Sequence, residues 1–120
     1  MKTLAGNLSF PALASGGWRD LAYVPFRDGI DVHWLVKGCA DTPSVAILRY
    51  APGASVPRHR HPGLETIVVL DGTQSDESGD YPAGSVVFNP VGSEHSVWTR
   101  DGCVVLIQWN LPMIILGTDA

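Results

Sequence analysis

The sequence is poor in several features that would announce a function directly. Cysteine occurs only twice in 120 residues, as Cys39 and Cys103, with no CxxC spacing and no Cys/His cluster. Zinc-ribbon and dithiol-redox motifs are thereby excluded, and the two residues read as reduced thiols serving as small apolar side chains, with a disulfide between them as the alternative. Charged residues make up 17% of the chain, the net charge is −4, and no run of Lys or Arg occurs. That balance argues against a nucleic-acid surface. No segment approaches the roughly 20 apolar residues needed to span a bilayer. Lys2 followed by Ala12-Leu13-Ala14 faintly resembles a signal cleavage site, but Gly6, Asn7, Ser9 and Pro11 break any apolar stretch between them. A cytoplasmic protein is expected. Also absent is any window of ten or more residues with a helical period free of Gly or Pro.

What is present suits short strands and turns. Apolar residues make up 45%, and thirteen glycines and nine prolines punctuate them. β-runs are expected at Val32 to Lys37, Val45 to Tyr50, Leu64 to Leu70, Ser85 to Asn89, His95 to Thr99, Cys103 to Trp109 and Met113 to Leu116. Asp71-Gly72 is read as the end of the third, and Asp101-Gly102 as a tight hairpin. About eight or nine such strands imply an all-β fold, an antiparallel jelly-roll β-barrel. Residues 1–17 form an irregular arm ending in Gly16-Gly17, free to dock as an edge strand on its own or a partner's sheet. Residues 18–120 form one barrel domain.

Two blocks carry the chemistry. The first runs Gly53-Ala-Ser-Val-Pro-Arg-His59-Arg-His61-Pro-Gly-Leu-Glu65 and on to Gly72; the second runs Gly84-Ser-Val-Val-Phe-Asn-Pro90-Val-Gly92-Ser-Glu-His95. Neutral imidazoles with a carboxylate make a mixed N/O site for a divalent transition metal. His59 and His61, two apart on an extended segment, leave the same face about 6–7 Å apart at Cα. A straight strand would carry Glu65 about 13 Å beyond His61. Pro62-Gly63 is therefore expected to reverse the chain and set Glu65 on the next antiparallel strand, with Ile67 and Val69 on the same interior face. The turn from Asn89 to Ser93 is expected to deliver His95 from a separate strand pair. The remaining histidine, His33, has no partner at ligand spacing.

These blocks match the two cupin signatures, G-x5-H-x-H-x3-E-x6-G and G-x5-P-x-G-x2-H, at every specified position. The asparagine usual four residues after the second-block histidine is Thr99 here. Residues 30–110, from Ala46-Ile-Leu-Arg-Tyr-Ala-Pro-Gly53 through Asp80-Tyr-Pro-Ala-Gly84 to Asp101-Gly-Cys103, resemble the ChrR-like cupin subgroup. That resemblance implies a β-barrel, commonly dimeric, with His59, His61, Glu65 and His95 as ligands of one divalent metal ion: zinc, iron, nickel or manganese. The subgroup includes a zinc-binding anti-sigma domain and stand-alone proteins similar to diketone-cleaving dioxygenases. Anti-sigma activity there resides partly in a separate N-terminal helical metal domain. No such domain is read in these residues, so sigma-factor repression is not expected.

Four protein ligands can complete a tetrahedral site or leave two octahedral positions open. Three functions follow: a metal-dependent dioxygenase on a small oxygen-rich molecule such as a β-dicarbonyl, a zinc-binding sensory module, or an isomerase or lyase on a sugar or keto acid. Candidate pocket residues are Arg49, Tyr50, Ile67, Val69, Phe88, Val97 and Thr99, with Trp34, Trp98 and Ile107 nearby in sequence pattern. Strand parity favours Val97 and Thr99 over Trp98. The partners expected are a small molecule and a second copy of the chain, because Val104 to Ile107 and Met113 to Leu116 offer more apolar surface than one barrel easily buries.

Overall fold

A computed structural model describes residues 6–117. Its ten strands are β1 (Val24–Arg27), β2 (Ile30–Val36), β3 (Ser44–Tyr50), β4 (Ser55–Arg60), β5 (Glu65–Asp76), β6 (Gly79–Pro82), β7 (Val86–Asn89), β8 (Glu94–Trp98), β9 (Cys103–Trp109) and β10 (Ile114–Ile115). All pairings are antiparallel. One sheet runs β1-β2-β3-β9-β5-β7, and the other β10-β4-β8-β5-β6. The fold is the all-β jelly-roll barrel expected from the strand spacing.

Strand β5 belongs to both sheets. Its first half, Glu65 to Val69, pairs with β9 and β7, whereas Thr73 to Asp76 pairs with β6 and β8. Asp71-Gly72 does not end the strand; the register shifts just before it, between Val69 and Asp71, and the strand bends from one sheet into the other. Gly72 has φ +71°, and a Cβ on it would strike the Gly102 carbonyl. Only glycine fits that corner without strain. Asp101-Gly102 likewise makes no hairpin. β8 pairs with β4 and β5, while β9 pairs with β3 and β5, so the link between them crosses from one sheet to the other.

The interior between the sheets alternates as period two demands. Ile67 and Val69 of β5 meet Val105 and Ile107 of β9, Ala46 and Leu48 of β3, and Val56 and Val97 of the opposite sheet. A second cluster lies on the outer face of the first sheet. There Trp18, in a short 3₁₀ turn at Gly17–Asp20, packs with Leu13 and Leu21 over Ile47, Val104 and Leu106. The described part of the arm thus covers a sheet face and does not extend an edge. Residues 1–5 of the expected arm and 118–120 of the expected domain lie outside the described residues.

The two segments read as surplus apolar surface are used within the chain. Val104, Val105 and Ile107 are buried. Ile114 and Ile115 pair with Arg60 and His59 of β4, and Met113 and Ile115 pack on the core. Both cysteines are free thiols, Cys39 exposed and Cys103 buried. No helix among the described residues is long and apolar enough to cross a membrane.

Candidate metal centre

The four expected ligands converge from three places in the fold. On β4, Val56 and His59 are both buried although they stand three apart. A register shift between them resets the alternation, so Val56 fills the core and His59 still faces inward. Arg60 points out and His61, just beyond the strand, points in. His61 is held by the second-block turn: its N–H donates to the Ser93 carbonyl at 2.9 Å, and its carbonyl accepts from Gly92 N–H at 2.7 Å. β8 pairs directly with β4 and sets His95 opposite His59. His95 is thus on the neighbouring strand and not on a separate strand pair.

Glu65 opens β5 in the other sheet. The Pro62-Gly63 reversal therefore leads across the barrel instead of into a hairpin with β4. Gly63 has no left-handed backbone; it is tight because a Cβ there would come within 2.9 Å of Leu111 N. Glu65 faces the three imidazoles from across the interior, and Ile67 and Val69 share its face.

The rings of His59, His61 and His95 form a near-regular triangle, with centroid separations of 4.9, 4.6 and 4.8 Å. One ligand atom from each histidine and from Glu65 lie within 4.8 Å of one another, and all four residues are buried. Each Nδ1 has an acceptor outside the cluster. His59 donates to the Pro57 carbonyl at 2.8 Å, His61 to Ser93 Oγ at 2.9 Å, and His95 to Asp76 Oδ2 at 2.9 Å. The Ser93 hydroxyl donates to the Pro90 carbonyl at 2.6 Å, which leaves its oxygen free to accept. These outer contacts turn each Nε2 lone pair toward the centre.

The fit to a cation can be tested on the donors themselves. Nε2 of His61 and Nε2 of His95 are buried with no hydrogen-bond partner. Buried polar atoms left this way are costly. Nε2 of His61 lies 3.2 Å from Oε1 of Glu65, two acceptors brought together with nothing of opposite charge between them. A divalent ion would satisfy all of these atoms at once. The group fits a single metal site.

Electrostatics support the ligand forms required. Burial, reinforced by the neighbouring imidazoles, lowers the pKa of His59 and favours the neutral ring. Burial opposes ionisation of Glu65, but in the metal-free cluster a proton shared with His61 Nε2, together with donors from Asn89 and Trp109, holds the carboxyl below its usual range; a cation would take that proton's place. Asn89 Nδ2 donates to Oε1 at 2.9 Å and Trp109 Nε1 to Oε2 at 2.7 Å. Asp76 is also held ionised: burial opposes this, and bonds from His95, the Ser78 amide and the Tyr81 hydroxyl overcome it.

The pocket candidates separate into three groups. Tyr50, Ile67, Val97 and Ile107 border a small internal space of about 20 Å³ next to His59 and Glu65. Val69 is core beyond that space. Arg49, Phe88 and Thr99 must be removed from the pocket. Arg49 is exposed, paired with Asp31 at 3.4 Å and stacked over Tyr23, because its position on β3 faces the outer side. Phe88 is 62% exposed on edge strand β7. Thr99 is buried, but its hydroxyl braces the crossover by donating to the Thr73 carbonyl at 2.8 Å and accepting from Gly102 N–H. Trp98 is 39% exposed, as parity indicates, and Trp34 lines a separate outer cavity. His33 stands apart from the cluster, bonded to the Ala22 carbonyl.

Comparison with known proteins agrees with this geometry. The ChrR cupin-like domain family matches residues 15–111. The chain belongs to that family. This ChrR-like cupin is 30% identical over 81 residues to a DNA damage-repair/toleration protein of Arabidopsis thaliana, covering 62% of the chain but only 26% of that relative. It thus spans about a quarter of the length of the curated relative it matches. Among solved structures it is similar to an acetylacetone dioxygenase from Acinetobacter johnsonii, with 18% identity, a TM-score of 0.77, and 99% of this chain and 83% of that one covered. It is also similar to the Rhodobacter sphaeroides complex of SigE with the anti-sigma ChrR, with 23% identity, a TM-score of 0.68, and coverage of 90% and 70%. At these identities the likeness shows the cupin fold.

The sequence pattern did not point to Asp76, Asn89, Ser93 or Trp109. Asn89 and Ser93 sit inside the second block. Trp109 was reachable by parity, since Cys103, Val105, Ile107 and Trp109 alternate inward along β9.

Proposed function

We propose that this cupin is a metal-dependent dioxygenase acting on a small oxygen-rich molecule of the β-dicarbonyl type. The observation that carries the reading is the treatment of Glu65. Trp109 bonds Oε2 and Asn89 bonds Oε1, and Oε1 is the oxygen that lies 3.2 Å from His61 Nε2, so the four residues supply one donor each. Four single donors leave room in a six-coordinate shell for a bidentate oxygen ligand. A bound iron or similar ion would supply Lewis acidity toward the dicarbonyl oxygens, activating the bound enolate toward dioxygen. The chain's own part is to hold the three Nε2 lone pairs inward, to keep Glu65 ionised, and to line the adjoining space with Ile67, Val97 and Ile107. Burial raises the pKa of the Tyr50 phenol, which keeps its proton on the oxygen; Gln74 donates to that oxygen at 3.4 Å, leaving the O–H free to point at a substrate oxygen.

A second reading is favoured by a different observation. The space beside His59 and Glu65 is about 20 Å³, roughly one water's worth of room. A closed four-coordinate zinc would suit it, as in a sensory module. An isomerase or lyase on a sugar or keto acid would share the metal site but need no dioxygen. We further infer a homodimer, supported by Val86 and Phe88, exposed at 54% and 62% on edge strand β7.

Metal analysis of the purified chain, with oxygen uptake measured over a panel led by pentane-2,4-dione, tests the principal reading. Iron with stoichiometric oxygen consumption is the expected outcome. Four-coordinate zinc without a solvent ligand, and no uptake after iron loading, would overturn it in favour of the sensory module.

A further inference from the structure

A second cavity, of about 560 Å³, opens between β1, β2 and the segment leading into β10. Small organic ligands occupy pockets of this size, whereas the space beside the metal ligands is about 20 Å³. Phe26, Trp109 and Met113 line both, so these three side chains are the partition between them.

The outer cavity has a definite chemistry. Phe26, Trp34 and Trp109 form a corner of three rings, with centroids 6.0 Å apart for Phe26–Trp34, 6.1 Å for Phe26–Trp109 and 6.0 Å for Trp34–Trp109. Their planes meet at 76°, 26° and 50°, which offers both a face and an edge to a flat guest. The chain carries 12 acidic residues against 8 basic ones, yet no Asp or Glu lines this cavity and Arg27 does. Arg27 is half-buried. Among the described residues no carboxylate lies within 4.0 Å of its guanidinium. A partly desolvated guanidinium without a counter-charge is suited to two oxygens of an anion, and its fork geometry matches a carboxylate or an enolate pair.

We propose that this outer cavity binds a planar small molecule bearing an anionic oxygen pair, its ring system against Phe26, Trp34 and Trp109 and its oxygens on Arg27. The assignment concerns a cavity outside the metal ligand set and stands whether or not the metal is catalytic.

Isothermal titration of the full chain with cinnamate and with 2-naphthoate tests this, using cinnamyl alcohol as the neutral counterpart of the first. One equivalent of either anion should bind, and cinnamyl alcohol should bind about ten-fold more weakly, as expected for loss of one charge-assisted contact. Arg27→Gln should remove that preference while leaving the alcohol's affinity unchanged, and Trp34→Leu should weaken all three ligands. Arg27 has no ion-pair partner among the described residues, so its substitution should leave the melting temperature in place, and a thermal melt checks that the variant is folded. The double variant His61→Ala with His95→Ala, which leaves Glu65 in place on Trp109, should still bind both anions. Loss of binding in that metal-site variant would assign the anion to the metal and overturn the proposal. So would failure of both anions to bind, or binding indifferent to Arg27→Gln.

Discussion

Trp109 donates its indole N–H to Oε2 of Glu65 at 2.7 Å, linking an aromatic wall of the outer cavity to the only carboxylate of the metal cluster. Two roles meet in one side chain: the ring separates two spaces, and the N–H fixes which oxygen of Glu65 remains for a cation. Trp109→Phe separates them, because it retains most of the ring and removes the donor. Metal affinity should fall about ten-fold or more, in line with loss of an outer contact to a ligand. Competition with a chelator of known affinity measures it; unchanged affinity would show the bond to be incidental.

The ligand set has a harsher test. His61→Ala combined with Glu65→Ala removes two of four donors and should abolish stoichiometric metal after gel filtration, as read by elemental analysis. A double variant that retains one equivalent would refute the assignment.

Acid should destabilise the metal-free chain in two stages. The pKa of His59 is lowered by burial, so the unfolded chain takes up its proton first. The stability this contributes is present above about pH 6.5 and declines as pH falls below it. Glu65 and Asp76 are lowered as well, so their contribution is present above about pH 4 and is lost as pH falls through their folded values. Chemical denaturation at a series of pH values, with chelator present, should show stability falling on both intervals. A profile flat from pH 7 to 5 would contradict the His59 part.

The corner of β5 predicts a stability loss remote from the metal. Gly72→Ala forces a Cβ against the Gly102 carbonyl at φ +71°, and should cost about 2 kcal/mol. Thermal or urea denaturation reads this directly; Gly53→Ala, at φ +81° with open space around it, should cost less.

Edge strand β7 bears on assembly. If Phe88 is an interface residue, Phe88→Asp should shift sedimentation from dimer to monomer with little change in the melting temperature of the monomer. A wild-type monomer at all concentrations would remove the dimer from consideration.

The ligand positions and the inward face of β5 were legible because they depend on local spacing. Glycines and prolines at fixed offsets mark the turns, and period two puts Glu65, Ile67 and Val69 on one face. The parity that favours Val97 and Thr99 over Trp98 as pocket lining puts both inside, but only Val97 reaches the space beside the ligands. What local pattern could not supply was which strands pair. Asp101-Gly102 and Asp71-Gly72 carry the dipeptide of a tight turn, but a positive-φ glycine serves a crossover or a bend in a continuing strand equally well. His95 is consequently adjacent to His59, and Glu65 faces them from the other sheet. Apolar character alone also misplaces residues on edges. Phe88 follows an apolar run but turns outward, because its strand partner Thr66 lies on the outer face of β5. The outer contacts from Asp76, Ser93 and Trp109 come from 19, 32 and 44 residues away and leave no local trace.

Strand β5 begins with Glu65 and ends with Asp76, the partner of His95. A single twelve-residue ribbon therefore anchors opposite sides of the cluster, one end as donor and the other as brace. Its span between those ends is fixed by the offset between Val69 and Asp71, so inserting or deleting one residue would misalign both together. The four donors are thus assembled or dispersed as a unit, and metal occupancy becomes a readout of whether this ribbon has threaded both sheets in register.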